Sequence, residues 1–409
     1  MELLEYDWTT HTKDKMIIVY GTAAFGELVY QSLKHKNIVP DYYVNQEGCG
    51  FFHGVSVIGI DQLAELYRDK QPVILFAVGS ASEEVLLKLA KARVKRVYSV
   101  ANLLNEMPDR SKIWDAAYKY RQVYFYKQDC FVNADKLFLY SLDVVVTERC
   151  SLRCKKCSNL MQYYHKPKNF SVYEIRNSLD RVLDIVDGIY ELIILGGETF
   201  MNPDFHLLID WYIDNPKVKT IVVLANATIF PGEEILKKLL HRKIILRISD
   251  YGELSGKLEE WAVWCENKRV EYEIVRMNSW QDCGDLDKRN YSEGEIKYVY
   301  STCECRNTPT LLDGKLYNCP YAANAANLGA MYEDEARMDR FELDNRGDIK
   351  EKLRRFLFDR KYLAACDYCE GRNLKRSSIT PFEQADKPLD YVVRRKDENA
   401  SGQCDNSSI

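Results

Sequence analysis

From Met16 the chain reads Met-Ile-Ile-Val-Tyr without interruption, then Gly21-Thr22-Ala23-Ala24-Phe25-Gly26, then Glu27-Leu-Val-Tyr-Gln-Ser-Leu33 with apolar positions at helical spacing. A buried strand, a glycine turn and an amphipathic helix are predicted in that order. A second apolar stretch ends at Tyr43-Val44-Asn45, and a third, Val73–Val78, runs into Gly79-Ser80. A helix is predicted at Ser82–Ala92 and a strand at Arg96–Val100. Strands alternating with helices in this way predict a small parallel α/β unit. Residues 106–137 are aromatic and charged and read as a helical connector. The alternation then resumes, with strands predicted at Ser141–Thr147, Glu191–Leu195, Thr220–Ala225, Ile244–Ser249 and Glu271–Val275. Helices fit at Val172–Val186, Phe205–Asp214, Glu233–Leu240 and Leu254–Asn267. Five strand–helix repeats predict a partial or complete barrel of parallel strands. From Cys303 the pattern becomes irregular and loop-rich, with a helix near Arg346–Phe358. The polar stretch 387–409 reads as a flexible tail.

Composition narrows the class. The chain has 409 residues, enough for two or three domains with sizeable cores. With 46% hydrophobic and 29% charged residues it is neither disordered nor fibrous. No apolar run reaches the roughly 18 residues of a membrane helix, and the opening residues lack a signal-peptide layout, so a cytoplasmic protein is expected. The net charge of −4 gives no reason to expect a nucleic-acid or membrane partner. Thirteen cysteines in a chain of this length, without a secretion signal, point to metal or buried thiols rather than to a disulfide framework.

Three cysteines form Cys150-x3-Cys154-x2-Cys157, directly after the Val144-Val145-Val146 strand. Thiolates at that spacing on one loop can converge on a cube of iron and sulfide and leave one iron without a protein ligand. A zinc site would want a fourth ligand, for which His165 is the nearest histidine. The pattern resembles the radical S-adenosylmethionine (SAM) superfamily over residues 138–300. That resemblance implies a SAM-binding 4Fe–4S cluster on Cys150, Cys154 and Cys157. It also implies SAM contacts from Gly196, Gly197 and Glu198 after the second strand, from Asn226 after the third, and from Ser249 and Asp250 after the fourth. Lys156 stands where the family carries an aromatic beside the adenine.

A second set comprises Cys303, Cys319, Cys366 and Cys369, within Gly314-x4-Cys319 and Cys366-x2-Cys369. It resembles the family's twitch/SPASM extension and implies one auxiliary 4Fe–4S cluster, with Cys305 competing with Cys303 for the first position. A four-cysteine zinc site is the alternative. Cys283, in Trp280-Gln-Asp-Cys283, is the candidate catalytic thiol for returning a hydrogen atom to a substrate radical. The front unit resembles the Rossmann-like domains of nucleotide-sugar enzymes. Its Gly21-x-Ala23-x-x-Gly26 is a degenerate dinucleotide fingerprint, and Asn45 stands where a ribose-binding acid would be expected.

The expected organisation is α/β: a Rossmann-like domain (1–105), a connector (106–137), a partial (β/α)6 radical SAM barrel (138–300), an irregular iron–sulfur domain (301–386) and a tail (387–409). The expected activity is oxidation or epimerisation of a carbinol carbon in a small sugar, cyclitol or nucleotide-linked glycan. A flavodoxin- or ferredoxin-type protein would donate the electron, and Arg247 and barrel-mouth tyrosines are the proton-acceptor candidates. Two other readings are a peptide-modifying maturase and a non-catalytic, metal-stabilised binding protein.

Overall fold

The computed structural model describes all residues except 11–13, 80, 106–120, 277, 345–346 and 395–409. The first part of the expected connector therefore lies outside the described residues. The front unit contains β1 (Glu2–Glu5), β2 (Ile17–Tyr20), β3 (Tyr42–Val44), β4 (Phe51–Phe52), β5 (Val55–Ile58), β6 (Val73–Phe76) and β7 (Arg96–Ser99). They form one sheet in the order β1-β7-β6-β2-β3-β5-β4, parallel throughout except for β4 against β5. Every residue of β2 and β6 is buried, which explains their unbroken apolar runs: both faces of these central strands are covered. Val19 and Leu75 pack on one side with Phe25 and Leu33, and Ile18 and Ile74 on the other with Leu63 and Leu89.

The strand order reverses between β2 and β6, where an open parallel sheet presents its ligand crevice. Here that crevice is covered by the helix Arg121–Val132. The Tyr124 ring lies 3.4 Å from the place a Cβ on Gly79 would take. Gln128 Nε2 donates to the Val78 carbonyl at 2.7 Å. Gly21 is required for a different reason than a dinucleotide: a Cβ there would sit 2.2 Å from the Ala77 carbonyl oxygen. The same helix is anchored to the second sheet by a buried ion pair, Arg121 to Glu271 at 2.8 Å.

The second sheet is built from β8 (Phe138–Thr147), β9 (Gly188–Gly196), β10 (Ile221–Ala225), β11 (Ile244–Asp250), β12 (Glu271–Arg276), β13 (Thr310–Leu312), β14 (Lys315–Tyr317) and β15 (Arg340–Phe341). Its order is β12-β11-β10-β9-β8-β13-β14-β15. β8 to β12 are mutually parallel, with helices Val172–Ile185, His206–Tyr212, Glu233–Lys238 and Leu258–Lys268 between them. Where six β/α repeats were expected, there are five parallel strands in succession. The sixth parallel strand, β13, comes from the C-terminal region and pairs on the other side of β8. That region is also less irregular than its sequence suggests. It adds a hairpin to the sheet and the helices Glu293–Thr302, Pro320–Asn327, Glu333–Met338 and Ile349–Phe358. Strands of two or three residues and an Ala/Asn-rich helix leave little periodic signal. The expected free tail is also docked up to Arg394. Leu389 N donates to the Gln162 carbonyl at 2.8 Å, Tyr391 Oη to the Leu328 carbonyl at 3.0 Å, and Arg394 N to the Gly329 carbonyl at 2.7 Å.

Along β8 to β11 alternate residues face opposite sides. Leu142, Val144, Ile194, Val223 and Leu246 belong to the large core that takes in the helices, and Ile193, Leu195, Val222 and Ile245 form a separate inner patch. The inner side also carries charge. Arg247 bridges Glu191 and Glu273, each at 3.3 Å. Burial pushes the nearby Asp143 carboxyl up to about 7, the Arg247 charge opposing this only in part. A carboxyl raised above its usual range binds more protons in the folded than in the unfolded chain. Stability is therefore lost as pH rises from the ordinary aspartate range towards 7. Asp143→Asn is expected to raise stability at pH 8 by on the order of 1–3 kcal/mol and by only about a third of that at pH 5, as read from urea midpoints at the two values. Equal effects at both pH values would contradict the assignment.

Candidate active site

The C-terminal ends of the parallel strands meet at an open cleft of about 930 Å³, including the part open to solvent. Cys150, Cys154 and Cys157 line it together with Gly196, Gly197, Glu198, Asn226 and Ser249. Four strand-end segments distant in sequence thus converge where the βα loops of such folds place their chemistry.

The cysteine loop is held by the strand ends around it. Gly197 N donates to the Thr147 carbonyl at 3.1 Å and Glu198 N to the Arg149 carbonyl at 2.8 Å. A Cβ on Gly196 would lie 2.5 Å from the Thr147 oxygen, and one on Gly197 2.4 Å from the Arg149 oxygen and 2.7 Å from Cys150 Cβ. The two glycines are therefore demanded by the cysteine loop itself, quite apart from any ligand. The Glu198 carboxylate is almost fully buried and accepts from Asn226 N at 2.7 Å and Phe200 N at 3.2 Å. Burial nevertheless pushes it up to about 7. Asn226 passes the link back to the loop: its Nδ2 donates to Ser151 Oγ at 3.1 Å and approaches Cys150 Sγ at 3.7 Å.

The thiols are surrounded by donors. Leu152 N donates to Cys150 Sγ at 3.4 Å, and Gln384 Nε2 donates to Cys154 Sγ at 3.1 Å. Burial pushes Cys150 up to about 12 and Cys154 up to about 11, and raises Cys157 as well. As protein alone the trio is neutral, so a positively charged iron group is what would hold it as thiolates. Soft sulfur donors ringed by N–H groups fit a thiolate-ligated cluster.

The remaining residues divide. Ser249 is on the cleft wall, whereas Asp250 turns away to accept from Gly252 N at 2.9 Å and does not line it. Tyr251 and Trp280 do line it, in edge contact with each other at 6.0 Å between centroids, and were not foreseen. Tyr251 adjoins the Ser249-Asp250 motif, so an aromatic directly after it was the available signal. Gln384 had no signal: the strand-like pairing of Cys154 with Gln384 spans 230 residues. Lys156 pairs with Asp282 at 3.0 Å.

The second cysteine set surrounds an apolar pocket of about 340 Å³, including the part open to solvent, lined by Cys303, Cys305, Cys319, Cys366 and Cys369. Both competitors for the first position are present. The Cys305 thiol donates to Cys303, which lowers the Cys303 pKa. Cys319 stands at the N-terminus of Pro320–Asn327, and Gly371 N donates to Cys369 Sγ at 3.2 Å. Cys283 is buried against Cys369, whose thiol donates to it, and is not among the cleft-lining residues. Among the described residues, no three His, Cys, Asp or Glu side chains are drawn together closely enough to hold a single metal ion.

The fold and cleft define an open parallel α/β protein with a three-thiol loop at its strand ends. Residues 144–249 match the Radical SAM superfamily. No curated protein matches the chain. Among solved structures it is similar to anSMEcpe with bound AdoMet (15% identity, 63% of this chain and 93% of that one, TM-score 0.36). It is also similar to BtrN in complex with AdoMet and 2-DOIA (13%, 61% and 98%, 0.36) and to Streptococcus suis SuiB bound to precursor peptide SuiA (15%, 71% and 82%, 0.33). No helix among the described residues is long and apolar enough to cross a membrane.

Because Gly197 has no room for a methyl group, Gly197→Ala is expected to displace the cysteine loop and reduce its iron at least several-fold, while far-ultraviolet circular dichroism stays native. Full retention of iron in that variant would contradict the close approach.

Proposed function

We propose that the protein is a radical SAM dehydrogenase that oxidises a carbinol carbon of a small sugar, cyclitol or nucleotide-linked glycan. The observation that carries the reading is the convergence of Cys150, Cys154 and Cys157 with Gly196, Gly197, Glu198, Asn226 and Ser249 on one cleft. The three thiolates would hold the first cluster. Glu198 and the strand-end backbone would take the ammonium of SAM, and Asn226 and Ser249 its ribose and carboxylate. Tyr251 and Trp280 offer the aromatic surface that Lys156 does not. Asp250 holds the turn behind Ser249 rather than the ligand.

When bound, the reduced cluster and SAM supply a 5′-deoxyadenosyl radical that removes a hydrogen atom from an unactivated carbon. The chain's own contribution is position and exclusion of water. Trp280 meets Tyr251 and Phe382 edge-on, and the 383–385 segment is hydrogen-bonded along the cysteine loop. Cys303, Cys319, Cys366 and Cys369 would hold an auxiliary cluster, for which a pocket lined by several thiols supplies the soft donors.

Oxidation is favoured over epimerisation by the position of Cys283. An epimerase of the expected kind needs a thiol facing the substrate, and Cys283 is buried and does not line the cleft. The sugar class rests on the front unit's parallel α/β sheet, although its β2–β6 crevice is covered by Tyr124 and Gln128.

Anaerobic reconstitution should give about eight irons per chain, and incubation with a pool of polyols and amino sugars should yield a carbonyl product. Cys150→Ala should abolish the product and Cys283→Ala should not abolish SAM cleavage. Return of an unoxidised sugar carrying solvent deuterium would overturn the dehydrogenase reading, and modification of a peptide in place of a sugar would overturn the substrate class.

A further inference from the structure

Resting on the reading that the C-terminal cysteines hold a cluster, we propose that Arg372 is a positioning residue whose charge sets that cluster's reduction potential. Arg372 reaches both cysteine sites. It lines the SAM cleft on one side. On the other, its backbone N donates to Cys303 Sγ at 3.3 Å and its guanidinium Nη1 to Cys305 Sγ at 3.7 Å.

The side chain is held in place. Glu304 pairs with the guanidinium at 2.7 Å, and Glu304 N donates back to the Arg372 carbonyl at 2.9 Å. A residue that only filled space would not need this reciprocal clamp. A half-buried guanidinium of this kind is stiff and retains its charge at all working pH values.

Reduction adds one negative charge to a cluster and its thiolates. A fixed cation beside those sulfurs, its guanidinium on the neighbouring Cys305 and its backbone N on Cys303, stabilises the reduced form and raises the potential, and a carboxylate behind it moderates the effect. The cavity itself is apolar, so the interaction is screened less than at a surface. Arg372 thus raises the acceptor strength of the C-terminal site from a position on the wall of the cleft where the substrate is oxidised.

The test uses the full chain with Cys150, Cys154 and Cys157 replaced by Ala, so that the C-terminal cysteines are the intended iron ligands. Potentiometric titration followed by electron paramagnetic resonance then reads one midpoint. About four irons per chain are expected, with the midpoint lowered by Arg372→Gln, largely kept by Arg372→Lys and raised by Glu304→Gln. An unchanged midpoint in Arg372→Gln with the iron retained would overturn the tuning role alone. Absence of iron from the triple variant would overturn the cluster reading and the proposal with it. Should Arg372→Gln itself lose iron, an unmoved midpoint in Glu304→Gln would count against the charge effect.

Discussion

The cleft depends on one backbone apposition. The cysteine loop leaves β8 and passes the end of β9 so closely that neither Gly196 nor Gly197 has room for a Cβ. Two backbone hydrogen bonds seal this contact, Gly197 N to Thr147 and Glu198 N to Arg149. Glu198 then carries the tie to β10 by accepting from Asn226 N, and Asn226 returns it to Ser151 beside the first cysteine. Three strand ends and one loop are thereby fixed to each other before any ligand arrives. A site preorganised in this way does not have to order its own ligands when a cofactor binds.

The same apposition explains what was legible beforehand. The five parallel strands and their helices follow from long apolar runs and helical periodicity; the structure lengthens four of the strands, Ser141–Thr147 becoming Phe138–Thr147, and shortens the four helices at their ends. The three cysteines, Gly-Gly-Glu, Asn226 and Ser249 were legible because each ends a strand, and strand ends of a parallel sheet gather at one edge. Asp250 failed the same logic by one residue, since neighbours in an extended strand point to opposite sides. Gln384, Arg372 and Cys283 were illegible in their actual positions. Their contacts span dozens to hundreds of residues and come from the C-terminal region, whose two- and three-residue strands carry almost no pattern.

The front unit shows how a motif can be correct in layout and differ in purpose. Gly21-x-Ala23-x-x-Gly26 does sit between a strand and a helix, yet Gly21 is needed for the approach of Ala77, and Tyr124 and Gln128 cover the crevice beyond it. Covering by the helix Arg121–Val132, itself tied to the second sheet through Arg121 and Glu271, makes the unit continuous with the domain that bears the cleft.

Nine of the thirteen cysteines now divide by place as well as by spacing. Three line the cleft, five line the apolar C-terminal cavity, and Cys283 stands between the two groups with Arg372 beside it. The account's central claim is that the Cys150 loop holds the cluster that cleaves SAM. Its most direct measurement is chromatographic quantification of 5′-deoxyadenosine after anaerobic reconstitution, reduction with dithionite and addition of SAM. The account predicts 5′-deoxyadenosine from the native chain and none from the Cys154→Ala variant. A native chain that retains zinc through reconstitution and yields no 5′-deoxyadenosine would contradict it.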